Sequence, residues 1–180
     1  YAAAIKQAYP DLIVNVVGAI KDPAMAEEII ASGKADMVSM NRPLHADCEM
    51  PQKYAEGREW EHTPCLRCAS CFRMMSPHTA KLCSVNPMWG RWREYPEGCL
   101  PKAPVRKKVA VIGGGPGGIE AVKWLLQRGH DVTLYEKTGK VGGHVRDGVS
   151  APFKLDLRDY LHYMEDYVSH CGARVLMNTE

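Results

Sequence analysis

Residues 107–121 read KKVAVIGGGPGGIEA, and residues 122–136 continue VKWLLQRGHDVTLYE. "KVAVIG" is short and rich in β-branched residues, which predicts a strand. "GGIEAVKWLLQRG" carries apolar residues at helical spacing, and "DVTLYE" predicts a second strand. A strand that runs into Gly113-x-Gly115-x-x-Gly118 and then a helix is the context in which this glycine pattern binds a dinucleotide. Gly113 permits the tight turn, Gly115 lets the backbone approach a pyrophosphate, and Gly118 lets helix and strand pack closely. The unpaired N–H groups of the helix then face the phosphates. Glu136 ends the second strand, where a carboxylate accepts ribose hydroxyls and repels a 2′-phosphate. The pattern alone fits FAD and NAD equally. A further glycine pair, Gly142-Gly143, resembles the continuation found in flavoproteins with two dinucleotide-binding domains, which favours FAD or an ADP-like remnant of it.

Further along, Leu157, Leu161, Met164, Val168 and Cys171 recur at helical spacing, Gly172 stops that helix, and "ARVLMN" predicts a third strand. Before the glycine loop, residues 61–106 behave differently. They hold six prolines, Trp89, Trp92 and Tyr95, and no period of 2 or 3.6 persists. So long a stretch without regular structure is ordinarily functional or disordered, and its aromatic content argues against disorder. A metal supplies the order that a small core cannot.

That segment contains Cys65-x2-Cys68-x2-Cys71-x11-Cys83. Zinc sites usually come as two separated C-x2-C pairs. Three near thiolates and one remote one suit a cubane cluster better, with the remote ligand closing the fourth corner. Thiolates serve both metals, so a [4Fe–4S] cluster is the leading reading, with zinc and redox-active thiols as alternatives. The seven cysteines are odd in number and clustered, with no secretory leader in view, which points to a reducing compartment, the cytoplasm.

At the start of the chain, "LIVNVV" (12–17) predicts a strand ended by Gly18, and Asp22-Pro23 an N-cap with proline in the first helical position. Gly33 suits the C′ position of that helix, "ADMVSM" (35–40) is a second strand, "NRPLHAD" a loop, and a short helix starts near Pro51. This is the cadence of parallel α/β structure. In a (β/α)8 barrel the loops after the last two strands commonly form a phosphate site; Arg42 falls in such a loop, but by itself it reads as an ordinary surface arginine. The net charge of +2 and the lack of any long run of like charges suggest neither nucleic acid nor an acidic membrane as partner. No apolar stretch is long enough for a membrane helix. The opening Tyr1 and closing Glu180 give the expectation of an internal piece of a longer protein.

Taken in order, "VGAIKDPAMAEEIIASGKADMVSMNRPLHAD", "PCLRCASC", "CSVNP" and "KKVAVIGGGPGGIEA…GHDVTLYEK" resemble the iron–sulfur flavoenzymes of the old yellow enzyme superfamily. These include 2,4-dienoyl-CoA reductase, enoate reductase, bile-acid-inducible NADH:flavin oxidoreductase and trimethylamine dehydrogenase. The resemblance covers nearly the whole chain. It implies an α/β architecture: the C-terminal end of a (β/α)8 FMN barrel (1–60), an iron–sulfur segment (61–106) and the start of a Rossmann-like FAD-binding domain (107–180). By the same resemblance, Gly18 and Arg42 contact the FMN phosphate, and Cys65, Cys68, Cys71 and Cys83 bind a [4Fe–4S] cluster. Gly113, Gly115, Gly118, Glu136 and Gly143 hold FAD. NADH or NADPH supplies electrons to a small-molecule alkene, a CoA thioester among the candidates. The alternatives are an amine dehydrogenase and an electron-transfer module without a substrate site of its own. Asn41 stands where many relatives carry glycine; asparagine tolerates positive φ, so the turn is expected to survive. His144 stands where glutamine often follows the glycine pair. The catalytic acid is expected to lie outside this chain.

Overall fold

The computed structural model describes residues 1–72, 82–96 and 98–180. The chain divides into two compact units, residues 1–86 and 87–180. The division falls inside the cysteine-bearing stretch, part of which (73–81 and 97) lies outside the described residues.

Unit one opens with α1 (Ala2–Ala8), β1 (Asn15–Val17), α2 (Pro23–Ala31) and β2 (Met37–Ser39). β1 and β2 pair in parallel, Val16 opposite Val38, with α2 as the crossover. The start of α2 follows the residue types: the Asp22 carboxylate accepts the Met25 N–H at 2.8 Å, and Pro23 occupies the first turn, where its missing N–H costs nothing. Gly33 follows the C-cap at φ +67°, a conformation glycine adopts without penalty.

"NRPLHAD" is not a loop throughout. Arg42–Ala46 forms a short helix, α3, because Pro43 sits in its first turn and Leu44 and His45 close it with N–H bonds to the Asn41 carbonyl. Asn41 itself has φ −124°, so this turn makes no use of asparagine's tolerance for positive φ. α4 (Met50–Ala55) and a 3₁₀ turn (Glu59–Glu61) complete the regular structure of this unit.

A buried ion pair ties these short elements together. Lys53 Nζ lies 2.7 Å from Asp47 Oδ2, and both side chains are about 95% buried (5% and 6% exposed). The Asp47 carboxylate also accepts the N–H groups of Glu49 (3.1 Å) and Thr63 (3.0 Å), while Lys53 donates to the Glu61 carbonyl (3.2 Å). Thr63 is two residues before Cys65, so this pair anchors the start of the cysteine loop.

Unit two is a three-stranded parallel sheet in the order β3 (Lys108–Ile112), β4 (Asp131–Tyr135), β5 (Arg174–Leu176). α5 (Pro116–Gln127) crosses from β3 to β4; α6 (Val145–Gly148) and α7 (Leu155–His170) lie between β4 and β5. β4 alternates as a half-buried strand should, with Val132 and Leu134 turned inward. They meet Ile119 and Val122 of α5 and the face of α7 formed by Tyr160, Leu161, Met164 and Val168 as the buried core. Among the described residues no helix is long and apolar enough to cross a membrane.

Replacing Lys53 with methionine strands a buried carboxylate. The expected result is a loss of about 3–5 kcal/mol of unfolding free energy, read from urea melts of the full-length protein. A change below about 1 kcal/mol is what a solvated surface pair would give.

Candidate functional site

The glycine loop is held by close approaches that only glycine allows. A Cβ on Gly118 would sit 1.9 Å from the Gly113 carbonyl oxygen, so α5 can cross β3 this tightly only without a side chain there. Gly113 turns at φ +97°. Gly115 is the N-cap of α5, with Pro116 in its first turn. The second glycine pair packs on the first loop: Gly142 N–H donates to the Gly114 carbonyl at 2.7 Å, and a Cβ on Gly143 would come 3.2 Å from Gly115 Cα. The two loops thus form one wall of a groove of about 930 Å³, which Gly113, Gly115, Glu136 and Gly143 all line. Gly118 does not line it; its role is packing. Lys137, Lys140 and Arg146 add cationic donors to the rim, and His144 an imidazole.

Glu136 is buried at the end of β4. Its Oε2 accepts the Gly114 N–H at 2.6 Å; its Oε1 accepts the Thr138 N–H at 2.8 Å and the Thr138 hydroxyl at 2.7 Å. The bonds from Thr138 and then Gly114 hold the carboxyl below the usual glutamate value of 4.5, so the group stays ionised. An ionised carboxylate has about four acceptor positions, and these bonds use three of them. Thr138 was not legible as a site residue from its type. His144 points to solvent and pairs with Asp147 at 2.9 Å.

Unit one carries a second cavity of about 220 Å³, lined by Gly18, Ala19, Asn41, Arg42, Cys65 and Phe72 among others. Gly18 at φ +111° and Ala19 at φ +56° turn the loop after β1 toward it. The Arg42 guanidinium stacks over Phe72 with its carbon 5.5 Å from the ring centroid.

Cys65, Cys68, Cys71 and Cys83 line a third, small pocket together with Arg42 and Ser84. The loop that brings them there takes positive φ at Arg67 (+47°) and Ala69 (+59°), uncommon for residues with a Cβ. Sulfurs accept amides two or three residues ahead: Cys65 from Arg67 at 3.4 Å, Cys68 from Ser70, and Cys83 from Val85 and Asn86. Such bonds stabilise sulfur that carries charge. Burial pushes the Cys65 and Cys83 thiols up. For Cys68 burial acts the same way, but the hydrogen bonds from Ser70 and Ser84 outweigh it and lower the thiol.

Among the described residues no group of three or more His, Cys, Asp or Glu is arranged to hold a metal ion, and the thiols leave only about 10 Å³ of free space. The donor set nonetheless fits a thiolate-bound cluster: four sulfurs on one pocket, three of them already accepting amides.

The fold and these sites define a parallel α/β chain that joins a four-cysteine segment to a dinucleotide-type glycine loop. A family model for an NAD(P)-binding Rossmann-like domain matches residues 111–176. The chain is 40% identical to NADH oxidase of Thermoanaerobacter brockii, over 91% of this chain and 26% of that protein. It is 37% identical to cinnamate reductase of Clostridium sporogenes, over 93% of this chain and 25% of that protein. The solved structure of a 2-naphthoyl-CoA reductase in complex with 2-naphthoyl-CoA superposes with a TM-score of 0.89 at 33% identity, over 99% of this chain and 27% of that one. Over nearly its whole length the chain is similar to these oxidoreductases, which are iron–sulfur flavoenzymes of the old yellow enzyme type, and it spans about a quarter of their length.

Glu136→Gln tests the carboxylate. An amide cannot accept on both sides, so either Gly114 or Thr138 loses its partner. The expected loss is about 1–3 kcal/mol of stability at pH 7. Because the folded carboxyl titrates below 4.5, the gap from wild type is full above that pH and closes as pH falls through the folded value. Urea melts from pH 7 to 3 measure it; a gap that stays constant with pH would overturn this role.

Proposed function

We propose that this chain is part of an NAD(P)H-dependent flavin oxidoreductase that reduces an activated carbon–carbon double bond in an enoyl or dienoyl substrate, including CoA thioesters. Residues 1–60 then contribute the last two βα units of an FMN-binding barrel, 61–106 the iron–sulfur segment, and 107–180 the first part of an FAD-binding domain. The observation that carries this reading is that Arg42 and Cys65 line both the 220 Å³ cavity and the cysteine pocket. The anion site and the thiol site share a wall, which suits transfer of electrons between groups bound in each.

When bound, a [4Fe–4S] cluster supplies single-electron steps between flavins that work in electron pairs. The residues do the rest. Arg42 presents a planar guanidinium, braced by Phe72, to the phosphate of FMN. Gly18 brings backbone close to the same phosphate. Gly113 and Gly115 admit the FAD pyrophosphate, and Glu136 takes a ribose hydroxyl. Cys65, Cys68, Cys71 and Cys83 hold the cluster as thiolates. The small-molecule alkene is the one substrate partner this reading requires.

Full-length protein purified without oxygen is expected to hold about four irons per chain, and Cys65→Ser is expected to lose them. In that variant NADH oxidation by an artificial acceptor at FAD persists, while NADH-driven reduction of an enoate collapses and dithionite restores it. Stoichiometric zinc in place of iron, or undiminished coupling of NADH to alkene reduction without the cluster, would falsify the proposal. Oxidation of an amine with no alkene reduction would favour the dehydrogenase alternative.

A further inference from the structure

Cys68 has surroundings that the other thiols lack among the described residues. Its sulfur lies 3.4 Å from Ser70 Oγ and 3.2 Å from Ser84 Oγ, and the two hydroxyls are 3.2 Å apart. Arg67 gives Cys65 an amide, and Val85 and Asn86 give amides to Cys83; at Cys68 two hydroxyls join the amide of Ser70. The two serines lie 14 positions apart in the chain. Ser70 precedes Cys71, and Ser84 follows Cys83, so only the folded loop brings both to one sulfur.

As a thiol, Cys68 donates its own proton to Ser70. As a metal ligand it has no proton and is purely an acceptor. A serine hydroxyl rotates to suit its partner, so both serines then turn toward the sulfur. Ser84 has a single proton and two acceptors within reach, the sulfur and Ser70 Oγ. Either choice helps: it donates directly, or it polarises the Ser70 hydroxyl that does.

We propose that Ser70 and Ser84 are positioning residues that tune the redox site, a hydroxyl pair on one ligand sulfur that raises the reduction potential of the bound cluster. This rests on the reading of the four cysteines as cluster ligands. Reduction adds one electron, and part of that charge resides on the ligand sulfurs. Donors to sulfur therefore stabilise the reduced form more than the oxidised one, and hydrogen bonding to sulfur is one of the established determinants of such potentials. Serine does not ionise in the working range, so the effect takes up no proton and is the same across neutral pH. A cluster with a raised potential accepts electrons more readily from the nucleotide-fed side.

A merely mechanical role is distinguishable. A Ser84–Ser70 bond that only stitched the loop would alter how much iron binds, and would leave the potential of each bound cluster unchanged. The experiment is an anaerobic redox titration of full-length protein with dithionite, followed by electron paramagnetic resonance, with iron measured on every sample. Ser70→Ala and Ser84→Ala are expected to shift the midpoint to lower potential, the double variant furthest, with the same shift at pH 6.5 and 8.5. Ser84→Thr keeps a hydroxyl and is expected to restore the wild-type value. The potential is read per bound cluster, so a partly loaded variant still decides the matter. Alanine variants at wild-type potential overturn the proposal, whether or not iron is lost. Wild-type protein containing zinc and no iron would instead remove the reading on which it rests.

Discussion

Loop amides must find acceptors, and in both units they find anionic side chains. A buried N–H without a partner is costly, and neither short unit has enough helix or sheet to use all of its backbone donors. Asp47 takes the amides of Glu49 and Thr63 and neutralises itself with Lys53. Glu136 takes the amides of Gly114 and Thr138. Cys65, Cys68 and Cys83 take amides from their own loop. Each site is thus organised by negative or potentially negative atoms that collect backbone donors. Asp47 shapes the approach to the cysteine loop, and Glu136 joins the glycine loop to the end of β4.

The cysteine loop and the 220 Å³ cavity illustrate how few residues are needed to place two sites side by side. Arg42 stands at the start of α3, stacks on Phe72, and lines both pockets. Phe72 directly follows Cys71, so the turn that carries the third thiol also carries the ring that braces the guanidinium. The Arg42 charge favours an ionised Cys65 sulfur, although burial dominates there. One cation therefore lines the cavity and acts on the Cys65 sulfur of the pocket, so the two pockets share a charge as well as a wall.

In the second unit, close approach of backbone works alongside the Glu136 carboxylate. Gly118 passes the Gly113 carbonyl at a separation that excludes any Cβ, and Gly143 passes Gly115 closely though less tightly. These two approaches bring the α5 N-terminus and the second glycine pair to the same groove. The aliphatic contacts of Leu134, Ile119, Val122 and Met164 hold the layers at that spacing from the far side.

Local chemistry was enough to read the elements whose causes are local. The Asp22-Pro23 start of α2, the Gly33 and Gly172 stops, the strands around 110, 133 and 175, and the glycine-loop context all follow from propensity, capping and period. So does the candidate list of four cysteines, since three close thiols and a remote fourth are a statement about spacing. The α3 helix was not legible, because five residues with two charged or polar ends carry no periodic signal and depend on hydrogen bonds to Asn41. Nor were Thr138, Phe72, Ser70 and Ser84, which are ordinary surface types until the chain brings them together. Ser84 reaches Cys68 across 16 positions, and Asp47 reaches Thr63 across the same separation. Residue identity and spacing determined which donors and ligands this chain possesses. Only tertiary structure decided which of them share a pocket, because convergence across a loop closure is set by packing and backbone hydrogen bonding that no short window of sequence contains.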